Sequence, residues 1–155
     1  MGRMYSIVFE EVAVTAVQDL FEIISAADSS TVLHSVIVTQ SSDAGDSADE
    51  QLSCIFHRGA ATGSGGSSAT PSPLSLGDAA YGGTAEVNNT TQSVEGTILH
   101  AEAFNVRGGL YYRPTPEERI TINPSDVFII ELQTAPADSL TMSGTAIIEE
   151  IGGSP

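Results

Sequence analysis

The sequence predicts an all-β protein: a two-sheet antiparallel β-sandwich of jelly-roll type with about eight strands. Two observations carry this prediction. Apolar and polar residues alternate with a period of two along most of the chain, and the segments between these runs are rich in Gly, Pro, Asn and Asp. With 155 residues, the chain is expected to form a single domain over 1–155.

The clearest strand runs from Thr31 to Gln40, where β-branched residues occupy both faces. Turn residues such as Asn123-Pro124-Ser125-Asp126 separate several further runs of the same period. These runs are also predicted as strands: Met4 to Thr15, Asp19 to Ile24, Gln51 to Arg58, Thr97 to Arg107, Arg119 to Ile122, Asp126 to Thr134 and Leu140 to Ile151.

One segment, Ala13 to Ala27, fits a helix as well as a strand. Apolar residues recur there at helical spacing, while Leu20, Glu22 and Ile24 also alternate with Phe21 and Ile23 as in a strand. We favour the strand, because the flanking sequence is β-rich and the residues that follow are typical of a turn.

Residues 59–96 are predicted to form one long surface loop. The first part, 59–83, is a Gly/Ser/Pro/Ala passage, and 84–96 is similarly polar. Glycines 63, 65 and 66 resemble a phosphate-binding loop, but no Lys follows them, and they are interpreted as linker residues. A loop of this length in a compact domain is usually functional or ordered by a partner.

Charge excludes several functions. The chain has 5 Lys and Arg against 20 Asp and Glu, a net charge of -15, and all five cations are Arg. Without Lys, neither Schiff-base nor P-loop chemistry is available. A basic face for nucleic acid is absent, so we expect no nucleic-acid partner. No segment reads as a signal peptide or a membrane span, and no membrane partner is expected.

No catalytic, metal or cofactor site is expected from the reactive side chains. Cys54 lies in an apolar run and is predicted to be a small buried residue. His34, His57 and His100 fall in separate predicted strands without the paired spacing of a metal site. A further acidic cluster could ligate Ca²⁺, but its spacing favours a solvated hairpin tip. This cluster consists of Asp43, Asp46, Asp49 and Glu50.

Two segments are candidate interfaces. Tyr111, Tyr112 and Arg113 lie together in a Pro-rich passage that ends at Arg119, and Tyr and Arg are enriched at interface hot spots. Because adjacent strand residues point to opposite faces, one of the two tyrosines is expected in the core. Arg3, Met4 and Tyr5 form the second candidate. A double sheet with few charges also leaves edge strands exposed, which indicates that neighbouring subunits cover them.

Several segments spread over the chain carry a likeness to a known family. They are Met1-Gly2-Arg3-Met4-Tyr5 followed by a strand, Gln18-Asp19-Leu20-Phe21-Glu22-Ile23, the Gly/Ser passage at 63–68, Tyr112-Arg113-Pro114-Thr115-Pro116-Glu117, and Pro136-Ala137-Asp138-Ser139-Leu140-Thr141-Met142-Ser143-Gly144-Thr145. With these, the chain resembles the capsid decoration (cement) proteins of tailed bacteriophages and prophages, which are small jelly-roll virion proteins.

The resemblance implies a structural role without catalysis. Such proteins assemble as trimers on the outer capsid surface, at three-fold or quasi-three-fold positions, after synthesis in the cytoplasm of the bacterial host. The implied partners are the major capsid protein and further copies of the chain. Another virion part of similar fold is the alternative: a head-fibre base, a minor tail component or a receptor-binding domain. A third possibility is a metal-dependent or carbohydrate-active jelly-roll enzyme.

Overall fold

The structure, a computed structural model, describes residues 2–42 and 50–153. Within them the chain forms twelve strands and one 3₁₀ turn at Pro116–Glu118. The strands are β1 (Arg3–Val14), β2 (Gln18–Ile24), β3 (Ser29–Gln40), β4 (Gln51–Ala61), β5 (Ser67–Ala69), β6 (Ser72–Pro73), β7 (Thr84–Asn89), β8 (Val94–Asn105), β9 (Leu110–Tyr112), β10 (Thr121–Ile122), β11 (Val127–Leu132) and β12 (Leu140–Gly152).

The strands form two antiparallel sheets packed face to face, which confirms the predicted all-β sandwich. Sheet one has the order β10-β3-β12-β1-β6, and β9 also pairs with β3. Sheet two has the order β5-β7-β2-β11-β4-β8. The long strands pair from the chain ends inward: β1 with β12, β2 with β11, β3 with β9 and β10, and β4 with β8.

The core lies between the two sheets and is filled from alternate positions of the long strands. Along β12, buried and half-buried residues alternate without a break from Leu140 to Glu150, as a half-buried strand requires. On one side of β11 the Phe56 ring packs edge to face against Tyr112, with ring centroids 4.8 Å apart. On the other side the centroids of Phe9 and Phe21 are 5.2 Å apart. Each fully buried side chain of this size stabilises the fold by about 1.5–3 kcal/mol.

The segment Ala13 to Ala27 contains β2 and no helix, so the strand interpretation is confirmed. The other ambiguous element is the predicted strand Arg119 to Ile122, of which only Thr121–Ile122 is a strand. Arg119 is the C-cap of the 3₁₀ turn at Pro116–Glu118, so the strand begins later than predicted, although the N–H of Leu33 bonds to the Ile120 carbonyl at 2.9 Å.

The prediction of one long surface loop over 59–96 was wrong. This region holds the end of β4, all of β5, β6 and β7, and the start of β8. Strand β7 lies inside sheet two, between β5 and β2, and buries Ala85 and Val87 in the core. A half-buried antiparallel strand needs an apolar residue only at every second position, so its composition resembles a loop. The four strands that were not predicted, β5, β6, β7 and β9, bring the total from eight to twelve.

A glycine-rich segment, residues 62–66, and a polar segment, residues 90–93, lie over the outer face of sheet two. Ser64 and Thr91 join them by reciprocal main-chain hydrogen bonds of 3.0 and 2.9 Å. We call this pair of segments the strap. A Cβ atom on Gly63 would stand 2.7 Å from both the Asp19 carboxylate and the Thr91 carbonyl. Gly63 and Gly66, which were predicted to be linker residues, are therefore positions where the strap closely approaches the sheet, whereas Gly65 approaches Thr90 within the strap.

Candidate interaction surface

Strand β8 forms one edge of sheet two, and within residues 2–42 and 50–153 it pairs with β4 alone. One side of its main chain is therefore unpaired over much of a strand of 12 residues. Three of its apolar side chains are exposed, with fractions of 56% for Val94, 46% for Ile98 and 37% for Leu99. Exposed apolar side chains on an edge strand favour contact with another chain, although register shifts at Ile98 and Glu95 interrupt the regular strand edge.

Next to this edge lies a groove of about 360 Å³. It occupies the place where the β8 edge of sheet two meets the β9 edge of sheet one, and the Pro-rich passage closes one side. Its walls are formed by Leu99, His100, Glu102, Tyr111, Tyr112, Arg113, Pro114, Glu118 and Ile120. We call this the aromatic groove. Three of the predicted interface residues, Tyr111, Tyr112 and Arg113, line it together.

The two tyrosines divide between surface and core, as their alternation predicts. Tyr111 is 55% exposed and Tyr112 is 8% exposed. The Tyr112 ring is held between Phe56 and His100, with centroid distances of 4.8 and 4.7 Å, and burial raises the pKa of its hydroxyl. Tyr112 therefore forms a rigid wall of the groove, and Tyr111 presents the ring that a partner would contact.

Local hydrogen bonds fix the charged residues around the groove. Nε2 of His100 lies 3.1 Å from the Glu102 carboxylate. On the opposite wall, the Thr115 hydroxyl donates to the Glu118 carboxylate at 3.1 Å, which holds the Pro-rich passage in place. The fourth predicted residue, Arg119, lies beside this passage and is half-buried; among the described residues its Nε atom finds no hydrogen-bond partner.

The second candidate interface lies elsewhere, because β3 and β12 separate β1 from β9 in sheet one. Tyr5 was wrongly expected at an interface: its side chain is fully buried and donates hydrogen bonds to the Ala79 carbonyl and to Glu150, at 2.9 and 3.3 Å. Arg3 is engaged within the chain by a 2.9 Å ion pair with Glu150. Met4 is half-buried next to them.

Glu150 connects several segments at this end of the molecule, and its role was not predicted from the sequence. Its buried carboxylate accepts hydrogen bonds from Arg3, Tyr5, the Ser29 hydroxyl and the Gly82 N–H, at 2.9, 3.3, 3.0 and 3.1 Å. An isolated charge at this depth would be costly, and these four donors compensate it. Through these bonds Glu150, which lies on β12, connects Gly82, just before β7, to Arg3 and Tyr5 of β1.

A second group of carboxylates lies under the strap. The Gly63 N–H donates to Glu22, the Ser93 N–H to Asp19, and the Gln92 amide to Glu131, each at 2.7 Å. Burial raises the pKa of all three carboxyl groups. No signal in the sequence indicated that these acidic residues are buried, because the strap that covers them has the composition of a linker.

The histidines also contact carboxylates rather than each other. His57 is fully buried, with Nε2 3.0 Å from Glu131. His34 Nε2 lies 2.8 Å from Glu149. Burial alone would raise the pKa of Glu149, but hydrogen bonds from His34 and from the Gly2 N–H hold it below the usual range.

The remaining reactive groups show no arrangement for chemistry within the described residues. Cys54 is buried as predicted, and burial raises the pKa of its thiol. In residues 2–42 and 50–153, no group of three His, Cys, Asp or Glu side chains could hold a metal ion. Of the acidic cluster considered for Ca²⁺, Asp43, Asp46 and Asp49 lie outside the described residues, and Glu50 accepts a hydrogen bond from the Ala137 N–H.

Fold and surface together define the chain as an all-β sandwich with an apolar strand edge beside an aromatic groove. No described helix has the length and apolar character needed to cross a membrane. Comparison with protein-family models, with curated proteins and with solved structures finds no match.

Proposed function

We propose that the chain is a structural virion protein that binds the outside of a tailed-phage capsid as a trimer and stabilises the assembled shell. The observation that carries the proposal is the exposed β8 edge beside the aromatic groove, on a sandwich whose net charge is -15. Such a surface suits a protein partner, because aromatic residues and Arg dominate the energetics of protein contacts. The resemblance to decoration proteins across the chain supports the same role.

The order of strand pairing supports the finer prediction of a jelly roll. The first long strand pairs with the last, the second with the next to last, and the following strands continue inward to β4 with β8. A long antiparallel ribbon rolled into two sheets has this order, and viral capsid domains are among the proteins built in this way. Strands β5, β6 and β7 are then an insertion between β4 and β8.

Charge supports a position on the exterior. A chain with 20 acidic and 5 basic residues is repelled by packaged nucleic acid, whose phosphates require Lys and Arg to neutralise them. The same charge keeps an exposed coat protein soluble and prevents indiscriminate association. The proposed partners are accordingly the major capsid protein and other copies of this chain, at the outer capsid surface of the virion and after synthesis in the bacterial cytoplasm.

Stabilisation follows from linkage and needs no catalysis. A protein that binds the assembled shell, and not its separated subunits, adds the free energy of its binding to the stability of the shell. At a free concentration one hundred times the dissociation constant, each occupied site contributes about 2.7 kcal/mol. Many sites on one shell would shift its disassembly to higher temperature.

The proposal is tested with the purified chain and with shells of the encoding phage that lack it. Light scattering is expected to report a trimer, sedimentation with the shells to show saturable binding, and heating to show that coated shells disassemble at a higher temperature. A chain that remains monomeric and does not sediment with the shells would overturn the proposal.

A further inference from the structure

The sandwich has a second open edge, on the side away from β8. Strand β6 pairs with β1 at Tyr5 and Ser6, and beyond Ser6 no strand in the described part of the chain pairs with the outer side of β1. Between this open edge and residues 65–70 of sheet two lies a groove of about 630 Å³. We call it the β1 groove. Val8 lines it and is 53% exposed.

We propose that copies of this chain join head to tail, with the β8 edge of one copy seated in the β1 groove of the next. The inference rests on the trimer of the proposed function and identifies the surfaces that form it. Each copy would contribute both surfaces once, in two different contacts. Repeated contacts between unlike surfaces close into a ring when the rotation between neighbours permits it.

The scarcity of carboxylates on both surfaces favours a second copy of this chain as the partner in the β1 groove. Two copies, each with a net charge of -15, repel one another, and they can pack closely only where carboxylates are scarce. Among the described residues that line the β1 groove, Glu10 is the one ionisable side chain. The matching part of β8, residues 96–101, contains no carboxylate and carries the exposed Ile98 and Leu99.

Strand length and position also match. The open part of β1 runs from Ile7 to Val14, and the carboxylate-free part of β8 spans about 20 Å at roughly 3.3 Å per residue. Register shifts interrupt β8 between His100 and Ile98 and β1 between Phe9 and Val12, so main-chain pairing between copies would be short and the apolar side chains would carry the contact. Because the two edges lie on opposite sides of the sandwich, one copy cannot pair them within itself. Leu99 and His100 belong to both the β8 edge and the aromatic groove, so the wall formed by Tyr111 and Arg113 is the part of the groove that stays available for the capsid.

The test uses one substitution on each surface. Val8→Glu places a carboxylate in the β1 groove, and Ile98→Glu places one on β8; both side chains are about half exposed, so the fold tolerates them. Ile151→Glu is the matched control, since Ile151 is 49% exposed and belongs to neither surface. An unpaired charge buried at the contact should weaken it about a hundredfold.

Size-exclusion chromatography with light scattering gives the outcomes. We expect the unmodified chain and Ile151→Glu to be trimers, and Val8→Glu and Ile98→Glu each to be monomers. An equal mixture of the two monomeric variants should form a 1:1 dimer, because it retains one intact pair of surfaces. A symmetric contact, in which one surface meets the same surface of another copy, does not predict this 1:1 dimer.

Three outcomes would overturn the inference. These are a trimer that persists in either variant, a mixture that stays monomeric, and an unmodified chain that is itself monomeric. If both variants remain trimers but lose shell binding, the edges contact the capsid instead, and the proposed function stands without this interface. Melting temperatures of the variants close to that of the unmodified chain establish that each has folded.

Discussion

Replacing Gly63 with Ala tests whether the strap is a fixed part of the fold. The Gly63 N–H donates to the buried Glu22 carboxylate at 2.7 Å. A Cβ atom at this position would stand 2.7 Å from the Asp19 Oδ2 atom and from the Thr91 carbonyl oxygen. Neither group can withdraw easily, because Asp19 is fully buried and Thr91 is bonded across the strap to Ser64. The strap must move away from the sheet.

The size of the effect follows from these contacts. Overpacking of this kind costs about 1–3 kcal/mol, and a hydrogen bond to a charged group contributes about 1.5–3 kcal/mol. One displacement of the strap causes both losses, so they overlap and do not add. Ala also restricts the unfolded chain, which offsets about 0.4–1 kcal/mol. We expect Gly63→Ala to lower the free energy of unfolding by about 2 kcal/mol and the melting temperature by about 4–8 °C.

Urea unfolding and thermal melting measure this difference. Gly77→Ala is the matched control, because a Cβ atom on Gly77 meets no atom within 4 Å. The control should equal or slightly exceed the original stability. If Gly63→Ala were as stable as Gly77→Ala, the strap would not be packed against the sheet, and the burial of the carboxylates beneath it would be refuted.

Three further predictions concern the buried acids and the groove. Burial raises the pKa of Asp19, Glu22 and Glu131, so the folded protein binds their protons more tightly than the unfolded chain does. The stability that this difference provides is lost as pH rises from the pKa of the unfolded state through the raised pKa of the folded state. Unfolding in urea should therefore require more denaturant at pH 5 than at pH 7, and the reverse order would contradict the prediction. Glu150→Ala removes one acceptor shared by four donors and should cost about 3 kcal/mol by thermal unfolding, whereas a loss under about 1 kcal/mol would show that the donors find other partners. Tyr111→Ala should leave the melting temperature almost unchanged, since the side chain is exposed, but weaken shell binding about tenfold or more in sedimentation; unchanged binding would remove the ring from the contact.

The sequence predicted the long strands well because period-two alternation reports a half-buried strand directly. The predicted Leu140 to Ile151 became β12, Leu140–Gly152. Strand β7 was not predicted, because it carries too few apolar residues for the alternation to be recognised. With only Ala85 and Val87 facing the core, its burial depends on β2 beside it, and local sequence does not carry that long-range pairing.

The candidate surface was predicted in part. Alternation correctly divided Tyr111 from Tyr112, but no local pattern could place His100 against the Tyr112 ring. The tertiary fold brings the two together from strands in different sheets. Tyr5 was misjudged because a tyrosine near an end of the chain resembles a contact residue, whereas its hydroxyl finds buried acceptors that let the ring enter the core.

Cryo-electron microscopy of intact particles of the encoding phage tests the proposed role most directly. We expect density for this sandwich on the outer face of the shell, in groups of three at three-fold or quasi-three-fold positions, and absent from particles made without the chain. Density for the sandwich in the tail or at a fibre base, or virions that lack the chain altogether, would contradict a capsid decoration protein.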